Sequence, residues 1–334
     1  MSQLSFDLKT INIRKYKPNP ERYLIGQDSE LRNAVEVAIR LGQPLLITGE
    51  PGTGKTQLAY KVAYELNKFN PDCQKEPLIF NAKTTSSAND LFYTYDAISH
   101  FHDANISRVV DSEADIDIKN YIKLQPLGKA IALTTALDDE ARMLLPEDER
   151  ESINSSVVLI DEIDKAPRDF PNDILSEIET FSFEIRESQN IKISKGEDAH
   201  IIVIMTSNSE KNLPEAFLRR CVFYHIPFPD KDQLIQIVQS HFGLDTPYSS
   251  DQLIDYFMQL RSVMRNKQPA TSELLSWLQI LEVKKFIVGN EIDLTNLDEK
   301  QRKTLRSSFS ILAKTKDDLA SIFSESEVLN IKLQ

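Results

Sequence analysis

The stretch "GEPGTGKT" at residues 49–56 constrains this chain more than any other. The apolar run "PLLIT" directly precedes it, and "QLAYKVAYEL" follows, with Leu58, Ala59, Val62, Ala63 and Leu66 at helical spacing. A buried strand therefore leads through a glycine-rich turn into a helix. In that context Gly49, Gly54, Lys55 and Thr56 satisfy G-x-x-x-x-G-K-[ST], with Glu50, Pro51, Gly52 and Thr53 filling the loop. The glycines let backbone N–H groups turn toward β- and γ-phosphates at a helix N-terminus. Lys55 supplies a point charge, the Thr56 hydroxyl can ligate magnesium, and Gln57 follows in the first helical turn. A glycine-rich turn with a chance lysine would need neither the strand nor the helix. The pattern reads as a cradle for nucleotide phosphates and Mg2+.

Further chemistry sits at the ends of later strands. "SSVVLIDEIDKAP" (155–167) is a buried strand ending in acids. At a strand tip beside the cradle, Asp161 can hold the magnesium shell, and Glu162 can polarise an attacking water as general base. Asn208 ends the next apolar run, "IIVIMTSN". Alone it would read as a turn former; beside two matched motifs it reads as a residue that positions water or meets the γ-phosphate. Arg219 and Arg220 close "LPEAFLRR". Cations at a helix end oppose the dipole, but arginine also suits the transition-state charge of a transferring phosphoryl group.

The remaining pattern reads as two parts. Strands alternate with helices up to Pro229, and helical patterning follows, so the expectation is an α/β domain over 1–229 and a helical domain over 230–334. Residues 1–23 form a polar opening segment. An insertion of about 90–125 separates the second and third strands, and "FSFEIRESQNIKIS" reads as a β-hairpin at about 183–194. Phe92, Tyr93 and Tyr95 read as packing residues of the insertion rather than exposed loop aromatics. His100, His102 and Asp103 read as structural polar residues, Trp277 as core of the helical part, and the acidic stretches 111–117 and 138–151 as solvated surface.

Composition excludes several classes. No window approaches the ~18 consecutive apolar residues of a membrane span. Two cysteines, Cys73 and Cys221, make no disulfide framework and suit a reducing cytoplasm. The opening residues lack the basic-then-apolar order of a secretory signal. A formal net charge of −12 weighs against non-specific nucleic-acid binding.

Taken in order, "GEPGTGKT", "VVLIDEIDKAP", "MTSN" and "LPEAFLRR" resemble the MoxR group of AAA+ ATPases, of the dynein-related type, over roughly residues 20–290. The insertion and the hairpin favour that group within AAA+. The resemblance implies a P-loop NTPase fold with a parallel five-stranded sheet in the order 5-1-4-3-2, an α-helical lid, and a homo-oligomeric ring, usually a hexamer. It assigns Lys55 and Thr56 to Walker A, Asp161 and Glu162 to Walker B, and Asn208 to sensor 1. It makes Arg220 the arginine finger, with Arg219 adjacent. "YLIGQDSELRNAV" matches the segment that carries Tyr23, Ile25, Gly26 and Gln27 near the adenine. One departure concerns the lid, where the family places an arginine facing the nucleotide. Ser272 and Glu273 stand near that place, and Arg265 or Lys267 are the substitutes in reach. No adaptor domain of substantial size is expected at either end. The function implied is an ATP-driven, chaperone-like remodeller that works with a von Willebrand factor A protein. A motor subunit of a nucleic-acid-directed restriction complex and a nucleotide-gated assembly switch are the alternatives. Glu162, Asn208 and Arg220 together argue against a pure switch.

Overall fold

Helix α1 (Ser29–Leu41) lays Leu31 and Ala38 over strand β1 (Leu45–Gly49), whose five residues are all buried. The computed structural model describes residues 19–25, 29–110, 117–188, 191–209, 213–287 and 292–328. Helix α2 (Lys55–Phe69) and strand β2 (Leu78–Asn81) complete the first βαβ passage. Strand β3 (Tyr93–Tyr95), helix α3 (Ala97–Val110) and strand β4 (Ile122–Leu124) then lie outside the main sheet, and helix α4 (Pro126–Thr134) returns to pack on it. Strand β5 (Ser156–Asp161), helix α5 (Phe170–Thr180) and the short strands β6 (Ser182–Ile185) and β7 (Ile191–Ser194) follow. Strand β8 (Ile201–Ser207), helix α6 (Glu215–Leu218) and strand β9 (Val222–Ile226) end the α/β part.

The main sheet has the order β2-β5-β8-β1-β9, and every neighbouring pair is parallel. Counting these five strands along the chain, this is the 5-1-4-3-2 arrangement of AAA+ P-loop NTPases. Side chains alternate across a strand, so each strand feeds two cores. Leu45, Ile47, Val157, Leu159 and Ile204 face α1 and α2. Leu46, Phe80, Val158, Ile160 and Met205 face α4 and α5. Coverage on both faces explains why these strands read as unbroken apolar runs.

β3 pairs antiparallel with β4, and β6 with β7. Phe183 joins the two pairs: the rings of Phe92 and Tyr93 stack on it at 5.1 and 6.1 Å. Tyr93 also donates its hydroxyl to Glu187 Oε2 at 2.8 Å. The acidic stretch 138–151 is more than solvated surface. Arg142 within it is 1% exposed and donates to the carbonyls of Thr135, Glu149, Arg150 and Ser152. A buried guanidinium needs this many acceptors, and satisfying it folds the stretch against the end of α4.

Among the described residues, five helices follow: α7 (Lys231–Phe242), α8 (Asp251–Val263), α9 (Thr271–Val283), α10 (Glu299–Leu312) and α11 (Lys316–Val328). They enclose a core of their own containing Phe257, Trp277, Leu305 and Phe309, and form the helical lid. Trp277 is fully buried and donates its indole N–H to Ser308 Oγ at 2.8 Å. Trp277→Ala should therefore cost the lid roughly 3–5 kcal/mol, mainly through cavity formation, since the Ser308 hydroxyl keeps its bond to the Leu305 carbonyl. Denaturant unfolding measures it, and a cost under about 1 kcal/mol would show that this core is not cooperative.

Candidate functional site

The glycine-rich loop leaves β1 at Gly49 and enters α2 at Lys55. Gly52 and Gly54 have φ of 83 and 92, in the left-handed region that side chains resist. A Cβ on Gly52 would lie 2.3 Å from Ser272 Oγ, and one on Gly54 would lie 2.8 Å from Tyr23 Cε2. Backbone and crowding thus both require glycine. The loop runs between the lid on one side and Tyr23 on the other. Thr53 Oγ1 closes it by donating to the Glu50 carbonyl at 2.8 Å.

Lys55 is buried beneath this loop. Its ammonium donates to the carbonyls of Gly49 and Glu50 at 2.9 and 3.0 Å and to Asn208 Oδ1 at 2.9 Å. All three acceptors are uncharged. Burial pulls the ammonium below its usual pKa, while Asp161, Asp164, Glu162 and Glu50 act in the opposite sense. A cation in this setting favours an anion at the loop.

Thr56 donates to both carboxylate oxygens of Asp161, each at 3.1 Å. Thr206 on β8 donates to Asp161 Oδ1 at 2.5 Å and accepts from the Glu162 N–H at 2.8 Å. Glu162 itself has φ 56, an uncommon conformation for a residue with a Cβ. This turns the chain out of the strand line directly after Asp161, and the Glu162 carboxylate pairs with Lys165. Asn208 receives the ammonium of Lys55, and its own N–H donates to Asp164 Oδ1 at 3.3 Å. Two bonded pairs, Lys55 with Asn208 and Thr56 with Asp161, therefore stand at the C-terminal edge of the sheet, where parallel α/β sheets bind ligands. The Thr56 hydroxyl and Asp161 carboxylate form an all-oxygen donor set, which suits magnesium.

The structure places the two arginines elsewhere. Val222, two residues after Arg220, donates its N–H to Pro44 and pairs with Leu45, whereas Gly49 pairs with Ile226. Arg220 thus lies at the N-terminal edge of the sheet. At about 3.3 Å per residue, β1 alone separates it from the cradle by roughly 13 Å. Arg220 is half exposed and lies 3.6 Å from Glu179; Arg219 is exposed and pairs with Glu215. Of the other predicted positions, Gln57 is half-buried in the first turn of α2 and Pro51 is exposed at the loop tip. Ile25 packs on the core beneath α1. Gly26 and Gln27 lie outside the described residues.

In the lid, the backbone amides of Arg265, Asn266 and Lys267 bond the Asp318 carboxylate, and their side chains are exposed. The lid cation that does reach the cradle is Arg261, whose Nη2 lies 2.7 Å from Glu50 Oε2. Sequence reasoning missed it, as it missed Thr206. Thr206 lies within the quoted "MTSN", so a polar residue in an otherwise apolar strand was a usable signal. Arg261 carries no local signal, because its partner is 211 positions away.

The sequence model of the ATPase family associated with various cellular activities (AAA) matches residues 45–229, more than half of the chain. The chain belongs to this family. The match runs from the first residue of β1 to the start of the lid, so it spans the phosphate loop, Asp161, Glu162, Asn208 and both arginines of this AAA ATPase. No curated protein matches the AAA chain in sequence. Among solved structures it is similar to domain III of the replication initiation protein DnaA from Thermotoga maritima. That likeness has 14% identity and a TM-score of 0.43, covering 90% of this chain and 96% of the other.

Proposed function

We propose that this chain is a magnesium-dependent ATP hydrolase of the MoxR type. In this reading it assembles as a ring, usually a hexamer, and remodels or matures a partner protein together with a von Willebrand factor A protein. The observation that carries the hydrolase reading is the placement of two bonded pairs, Lys55 with Asn208 and Thr56 with Asp161, beside the glycine-rich loop. Lys55 and the loop amides of residues 49–56 hold the β- and γ-phosphates. Thr56 and Asp161 would hold magnesium, which supplies positive charge at the phosphate oxygens. Glu162, once released from Lys165, accepts a proton from the attacking water. Asn208 fixes the γ-phosphate end of the site.

Arg220 supports the ring. Its place at the opposite edge of the sheet leaves it unable to reach its own cradle, so a transition-state contact has to be made in a neighbour's site. The packed insertion and hairpin, β3 to β4 and β6 to β7, support the MoxR type. On α3, Ile98 and Phe101 are 83% and 70% exposed and offer apolar surface to a protein client.

Steady-state phosphate release tests the proposal. We expect turnover of ATP that requires magnesium and is lost with chelator. Competition by GTP reads base preference, which the cradle itself does not set. Phosphate release no faster than the buffer blank at any magnesium concentration would overturn the hydrolase reading.

A further inference from the structure

Arg261 meets three separate parts of the molecule although its side chain is only 9% exposed. Nη2 donates to Glu50 Oε2 at 2.7 Å and Nη1 donates to the Pro269 carbonyl. The guanidinium carbon lies 3.6 Å from the centre of the Phe228 ring. Glu50 belongs to the phosphate loop, Phe228 to the segment joining β9 to α7, and Pro269 to the turn before α9. A planar fork that also stacks can serve all three at once; a lysine could not.

Glu50 is held from two sides. Its carboxylate goes to the lid, while its carbonyl accepts from Lys55 Nζ at 3.0 Å and from Thr53 Oγ1 at 2.8 Å. The turn that supplies Pro269 also brings Ala270 and Ser272 against Gly52. That turn is in turn fixed from α11. Asp318, 1% exposed, accepts the N–H groups of Arg265, Asn266 and Lys267 at 3.0–3.1 Å and the Thr315 hydroxyl at 2.7 Å. A continuous line of contacts therefore runs from the last lid helix to the loop beneath which Lys55 sits.

We propose that the Arg261–Glu50 pair is a latch by which the lid sets the shape of the phosphate loop, and so its affinity for the phosphates of a nucleotide. The inference rests on the nucleotide reading above. Arg261 is a positioning residue acting through Glu50. Loop amides bind phosphate only when they converge, so a ligand selects the latched shape and loses affinity in proportion to the unlatched fraction. Coupling is reciprocal: phosphates in the loop also hold the lid in place. Ser272 and Glu273, at the start of α9, carry no cation, and α8 supplies one instead.

The test compares the full-length wild-type chain with Glu50→Gln, Arg261→Met, the double variant and Arg261→Lys. Two readouts are taken: titration with a fluorescent ATP analogue plus magnesium, and amide hydrogen exchange of residues 49–56. Each single variant should raise Kd about tenfold, with the double no worse than either, because both remove one coupling. Arg261→Lys should recover part of the loss. Loop exchange should rise alike in both single variants, while the melting temperature of Glu50→Gln, which leaves the lid core untouched, stays at the wild-type value. Unchanged Kd in Glu50→Gln, or losses that multiply in the double variant, would overturn the latch while leaving the nucleotide reading standing. A wild-type chain that fails to bind the probe would overturn both.

Discussion

Lys55→Ala is expected to abolish measurable magnesium-ATP binding. Lys55 is the cation beneath the loop, bonded by the carbonyls of Gly49 and Glu50 and by Asn208 Oδ1, none of which neutralises it. Phosphate oxygens are stronger acceptors than these, and each charge-assisted bond contributes about 1.5–3 kcal/mol. Losing two such bonds weakens binding by about 3–6 kcal/mol, roughly a hundredfold to ten-thousandfold. Folding should survive, because burial already disfavours the ammonium and the alanine leaves α2 a better helix former at its first position. Isothermal titration with ATP and magnesium measures the loss, with the thermal transition checking the fold. Tight binding by a folded Lys55→Ala protein would remove the cradle assignment.

The cradle was legible because its chemistry lies in consecutive residues. A strand, a glycine-rich turn, a lysine and a helix are all local features, and the left-handed backbone of Gly52 and Gly54 follows from the residue type. Buried strands were legible for a similar reason: sheets covered on both faces give runs such as "VVLI". Their order in the sheet is a tertiary fact, and it came from the resemblance rather than from any run. Three features stayed hidden because each depends on contacts that exist only once the chain has folded. Thr206 meets Asp161 across 45 positions, and Arg261 meets Glu50 across 211. Arg142 is an arginine in an acidic stretch, where a solvated side chain is the ordinary reading; the cage of carbonyls that buries it exists only once α4 has ended beside it. The lid cation shows the limit most directly. Proximity in sequence pointed to Arg265 or Lys267, but the turn containing them offers its amides to Asp318, and the preceding helix supplies the charge.

Arg220→Ala and Glu162→Gln should each be nearly inactive, and together they should recover activity. Removing an arginine that meets transition-state charge costs about 10³–10⁵ in turnover, and removing a general base about 10²–10⁴. The two variants fail for different reasons. Glu162→Gln keeps Lys55, Thr56 and Asp161, so it binds ATP and, where ATP bridges subunits, holds its ring longer. Arg220→Ala keeps a complete Walker B strand but offers its neighbour no finger. Arg220 sits at the sheet edge remote from its own loop, with Val222 beside Leu45 and Ile226 beside Gly49, so the proposed finger would serve a neighbouring chain's site. In an equal random mixture, roughly a quarter of interfaces pair an intact Glu162 from one variant with an intact Arg220 from the other. Those sites are wild type in composition, and activity should rise to a maximum near the equal mixture, given free exchange of subunits. An arginine acting within its own chain predicts no rise at any ratio, since every site would lack one group. The experiment is a mixing series followed by phosphate release, with exchange verified by labelled subunits. A flat baseline in the presence of proven exchange would count against the finger acting across the interface, and with it against assembly as the step that completes the site.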